Sequence, residues 1–90
     1  MKLDILLAEW LKANNLEALY MDACAILKGY EFTTHLLHYP EGHSRVVFTL
    51  LLKVHGRKAI EIFDRIHMEG GGWYDLEERT DQFVLSMTYV

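Results

Sequence analysis

The sequence predicts a single small α+β domain over residues 1-90. It is expected in two layers, helices packed on one face of a four-stranded, mostly antiparallel sheet, in the order α-α-β-β-α-β-β. Three observations lead there. Apolar residues recur at helical spacing near the N-terminus and again over residues 59–66, whereas residues 45–54 alternate between two faces as a strand does. Glycines and asparagines fall between these segments and punctuate them. Ninety residues support one modest core and leave no room for a second domain or a deep, walled active site, so function is expected on a surface.

Leu3, Leu6, Leu7, Trp10 and Leu11 follow i, i+3, i+4, i+7, i+8, the stripe of an amphipathic first helix. Extending that stripe would bury Asn14, Glu17 and Met21, whereas the apolar set restarts at Leu16, Leu19, Tyr20, Ala23 and Leu27. The break therefore falls at Asn14 and Asn15, a residue type suited both to ending one helix and to capping the next. Gly29 closes the second helix. From Tyr30 to Tyr39 the β-branched and aromatic residues predict a strand, and PEGHS turns the chain into RVVFTLLLKV, its most apolar run. Val46, Phe48, Leu50, Leu52 and Val54 alternate there with Val47, Thr49 and Leu51, the pattern of a central strand covered on both sides. GRKAIEIFDRIHMEGGG forms a third helix, with Ala59, Ile62, Phe63 and Ile66 as its apolar face and glycines as its stop. The remainder, WYDLEERTDQFVLSMTYV, is expected to be a second hairpin turning near Arg79 to Asp81. A helix followed by a hairpin would then occur twice, over 16–55 and 56–90.

This arrangement raises the question of the sheet's second face. If Phe48, Leu50, Phe83, Leu85, Met87 and Tyr89 point at the helices, the other face carries Leu37, Tyr39, Val47, Thr49, Leu51 and Val84, with Ser86, Thr88 and Val90. Such a mixture is too apolar for plain solvent surface and too hydroxylated for deep core, and it suits a subunit or partner interface. The competing reading is that the first helix crosses over to cover it.

The net charge of −4 is mild and makes the chain neither a DNA mimic nor a generic nucleic-acid binder. Its distribution is more informative. Residues 45–58 hold Arg45, Lys53, Arg57 and Lys58 with no acid, while residues 59–90 hold seven acids against Arg65 and Arg79. A basic middle and an acidic end can steer a partner or pair with a second copy, but a solvated surface with local ion pairs is the preferred explanation for most of these charges. Cys24 is the only cysteine, so no internal disulfide forms and no oxidising compartment is needed. Asp4 and Glu9 interrupt the apolar run that a signal peptide requires, and no stretch approaches the roughly 20 apolar residues of a membrane span. The expected location is the cytoplasm, away from any membrane.

Five local features bear on chemistry. Arg57 and Lys58 stand on the first turn of the third helix, where cations oppose the dipole. With Lys53, His55 and Gly56 they would form an anion or partner contact on the free amides of that turn. Glu61, three and four residues on, can instead pair with either. His35, His38 and His43 resemble a ligand cluster, yet strand positions three apart face opposite ways and no second cysteine or acid pair completes a site, so no metal is expected. MEGGGW follows a helix instead of opening one, which favours a helix stop over a phosphate loop. Asp64 and His67, with Glu69 nearby, could form an acid/base pair, but no nucleophile is placed beside them. Cys24 lies beside the apolar stripe of the second helix, as a buried, inert thiol would.

The expected function is therefore a non-catalytic protein–protein interaction domain, without cofactor. It would be a small regulator or inhibitor that docks on a larger protein or self-associates as a homodimer through the sheet face. Very small acidic domains of this type are often regulators, including those encoded by phages and mobile elements. The alternative is a nucleic-acid-binding module in which the basic segment 45-58 contacts phosphates and Tyr30, Tyr39, Trp73 or Tyr74 stack on bases. An enzyme is not expected, because no nucleophile, base and oxyanion set can be assembled.

Overall fold

The computed structural model describes residues 5–67 and 72–90. Leu3, Asp4, Glu69 and the glycine stop at Gly70 and Gly71 lie outside them. The first stripe forms α1 (Ile5–Ala13), which buries Leu7 and Leu11 and leaves Leu6 exposed. The second forms α2 (Glu17–Ile26), which buries Tyr20 and Ala23, with Leu16 and Leu27 buried at its two ends. Asparagine does end α1. The Asn14 side-chain amide donates to the Trp10 carbonyl at 2.8 Å, and Asn15 takes a left-handed φ of 57°. It does not cap α2, a correction to the sequence reading. Leu16 occupies the cap position without a side-chain bond, because Asn15 is used in the turn and Leu16 is drawn into the core.

The apolar run becomes β2 (Ser44–Leu52), central in a three-stranded sheet of order β1-β2-β3. β1 (Phe32–His38) pairs with it antiparallel, Phe32 opposite Leu50 and His38 opposite Ser44. α3 (Arg57–His67) follows β2, burying Ala59 and Ile66 with Ile62 and Phe63 packed beside them.

The expected second hairpin does not form. Residues 73–79 are a helix, α4 (Trp73–Arg79), and only β3 (Phe83–Tyr89) is a strand. The sheet is accordingly three-stranded and mixed, the element order is α-α-β-β-α-α-β, and the helix–hairpin unit is not repeated. The reason is periodicity. Trp73 and Leu76 lie three apart and are both buried, at 0% and 2% exposure, whereas a strand would have sent them to opposite faces. Gly72, at φ 89°, caps the helix, and Asp75 in its first turn and Arg79 in its last suit the dipole. With no hairpin partner, β3 reaches the sheet after the α3–α4 crossover and pairs with β2 parallel, Val46 opposite Phe83 and Leu52 opposite Tyr89.

One core results. Val46, Phe48 and Leu50 are fully buried, and the Phe48 ring meets Tyr20, Trp73 and Phe83 at centroid separations of 5.5, 5.4 and 5.3 Å. All four helices contribute their buried residues to this core, α1 included, so α1 does not cross to the other face of the sheet. β2 is covered on one side only: Val47, Thr49 and Leu51 remain half-buried. Among the described residues no helix is long and apolar enough to cross a membrane.

Candidate interaction surface

Strand alternation assembles the bare face. Odd-numbered residues of β1 and β2 face away from the helices, and the registers align them with the even-numbered residues of β3. His35, Val47 and Val84 form one row, Thr33, Thr49 and Ser86 the next, and Leu51 and Thr88 a third; Leu37 lies opposite Arg45 at one end. Leu37, Val47, Leu51 and Val84 neither belong to the core nor pack against it. Tyr39 continues the same face just past β1. Its ring stacks on His43 at 4.5 Å, and the Arg45 guanidinium lies over it at 5.6 Å. The backbone locks this corner: Tyr39 N–H donates to the His43 carbonyl at 2.9 Å, and Gly42 accepts the turn's φ of 95°. Beside it a cavity of about 280 Å³ is lined by His43, Ser44, Arg45, Asp81 and Gln82. The six interface residues expected from sequence, Leu37, Tyr39, Val47, Thr49, Leu51 and Val84, thus share one face. Glu31, whose carbonyl accepts the Leu51 N–H at 2.9 Å, continues the face just before β1 and brings the carboxylate that pairs with Lys53.

The basic segment is less coherent. Arg45 and Lys53 lie at opposite ends of β2, about 26 Å apart along the strand. Lys53 Nζ pairs with Glu31 at 3.7 Å, with both side chains exposed, and His55 stacks on Tyr89 at 4.4 Å. The Gly56 carbonyl accepts the Ile60 N–H at 3.2 Å in the first turn of α3, where Gly56 takes a φ of 63°. Arg57 and Lys58 are exposed and form no ion pair among the described residues, so the pairing with Glu61 is not made. Trp73 is fully buried and has no face to offer a base.

The remaining candidates resolve into structural contacts. His35 faces outward on the bare side, His38 turns to the other side and bonds the Ser44 hydroxyl at 2.6 Å, and His43 lies against Tyr39. Among the described residues no group of three or more histidines, cysteines or acids is arranged to hold a metal ion. His67 Nδ1 donates to the Phe63 carbonyl at 2.9 Å, and its Nε2 lies 3.6 Å from Glu77 Oε1 instead of meeting Asp64. Glu77 escaped the sequence reading because it joins His67 only once residues 73–79 are recognised as a helix. Gly72 does precede a helix N-terminus, contrary to the reading of MEGGGW, but that helix is a single short one of 7 residues. Cys24 is half-buried, and burial pushes its thiol above the ordinary value. Burial likewise raises the Tyr20 phenol, partly offset by its hydrogen bond to the Thr34 hydroxyl at 3.0 Å.

Comparison with known proteins finds no match to this chain among family models, curated sequences or solved structures.

Proposed function

We propose that this chain is a non-catalytic interaction domain of the cytoplasm, a small regulator or inhibitor that lays the bare face of its sheet on another protein. One observation carries the reading: the two faces of the same strand differ, with Val46, Phe48 and Leu50 fully buried while Val47, Thr49 and Leu51 form a half-exposed apolar and hydroxylated surface. The fitting partner surface is apolar with a carboxylate at one corner. At that corner Arg45 makes no ion pair among the described residues, whereas Lys53 at the other end of β2 is already held by Glu31. Separation of the basic residues to the two ends of β2 and burial of Trp73 weigh against a continuous nucleic-acid track.

A photo-crosslinking residue at position 49 tests this in cells. A discrete protein adduct is expected from position 49, none from the exposed Glu61 position on α3, and loss of the adduct in Arg45→Glu. A nuclease-sensitive adduct, or the same adducts from both positions, would sink the reading.

A further inference from the structure

The free edge of β3 leads beyond face docking. In a parallel ladder every second residue of one strand bonds the two residues that flank its partner, and the residues between point the other way. Val46 N–H donates to the Gln82 carbonyl at 2.7 Å and Val90 N–H to the Leu52 carbonyl at 2.9 Å, which fixes the phase along β3. Even-numbered residues therefore bond β2. Phe83, Leu85, Met87 and Tyr89 turn their N–H and C=O groups the other way, to the outside of the sheet. Among the described residues nothing bonds them. The strand also lacks the usual protection of an edge: residues 82–90, QFVLSMTYV, contain no charge, no proline and no glycine.

We propose that β3 is a dimerisation edge, pairing antiparallel with β3 of a second copy about a two-fold axis through Ser86. The register follows from the outward groups. Antiparallel pairing places Phe83 opposite Tyr89 of the second copy and Leu85 opposite its Met87, and these pairs engage every outward N–H and C=O of residues 83–89. Sliding by two residues in either direction leaves some of them unpaired. The side chains agree with this register. Phe83 meets Tyr89 and Leu85 meets Met87 on the helix side, Val84 meets Thr88 on the bare side, and the small Ser86 meets itself at the axis. An axis normal to the sheet keeps both sets of helices on one face and yields a continuous six-stranded sheet. The contact is isologous and closes at two copies through this edge. β1 fits such a role less well, because the equivalent two-fold sets the imidazole of His35 against its copy. This inference is independent of face docking, since the pairing consumes an edge and leaves the bare face open.

Sedimentation across a concentration series, with Ser86→Lys and Ser86→Glu variants, tests it. Ser86 bonds β2 through its backbone and directs its side chain off the core, so both variants should keep the native circular dichroism. Each should weaken the dimer roughly fivefold by setting like charges opposite each other, and an equimolar mixture should recover it. In a Cys24→Ala background, Ser86→Cys should oxidise to a covalent dimer, whereas Thr33→Cys, on exposed β1, should not. A monomer at every concentration, a dimer indifferent to both charges, a mixture that stays monomeric, or covalent dimer from Thr33→Cys alone would each overturn the proposal. So would finding the edge occupied by a strand of a different protein.

Discussion

At the scale of single residues, two neighbours on β2 should behave as if they belonged to different proteins. Phe48 sits at the centre of an aromatic group formed with Tyr20, Trp73 and Phe83, so Phe48→Ala should cost about 3–5 kcal/mol in a urea titration. Val47→Ala, one position away on the half-exposed face, should stay within about 1 kcal/mol. Tyr20 and Cys24 add a pH dependence. Burial raises both groups, so the folded chain holds their protons more tightly than the unfolded chain does. Their contribution is complete below the ordinary thiol and phenol values of 9.0 and 10.0 and is lost as pH rises through the raised ones. Urea midpoints should therefore fall on the alkaline side, and the combined variant Tyr20→Phe/Cys24→Ala should fall less steeply. A double variant as alkali-sensitive as the parent would show that other groups control the loss.

At the scale of elements, α1, α2, α3 and β2 were legible because their apolar periods are long and unbroken. Leu7 with Leu11, Tyr20 with Ala23, and Ala59 with Ile66 are each buried as their spacing predicts. The composition of the bare face was legible for the same reason, since a period of two fixes which of Val46 and Val47 faces the core. The last third was not. Trp73 and Leu76 give only one helical repeat, and the β-prone residues after Gln82 drew the whole segment toward a hairpin. That single error hid the parallel pairing, the His67–Glu77 contact and the outward edge of β3. Gly72 decides the local outcome and offers a test: at φ 89° an alanine is strained, and its Cβ would stand 3.4 Å from Ile26 Cδ1. Gly72→Ala should cost about 1–2 kcal/mol by thermal denaturation, whereas Gly29→Ala, also at positive φ but with open space around it, should cost the backbone strain alone.

At the scale of the whole molecule, the charges no longer form the simple basic middle and acidic end of the linear sequence. Asp22 of α2 and Asp75 of α4 converge on Arg79, at 3.3 and 3.9 Å, and Lys53 is engaged by Glu31. These pairs are exposed, so Arg79→Ala should shift the urea midpoint by the equivalent of under about 1 kcal/mol, and by less as salt is added. The parallel β2–β3 pairing has a further consequence, one of timing. A ribosome delivers β1 and β2 early, and they meet through a short turn, but β2 must wait for about thirty more residues before its second neighbour exists. Until then Phe48 has no Trp73 and no Phe83 to close around it. Nascent chains arrested at Thr80 should accordingly be cut rapidly by protease, and those tethered by a linker after Val90 should resist, so that acquisition of the fold waits on the emergence of β3.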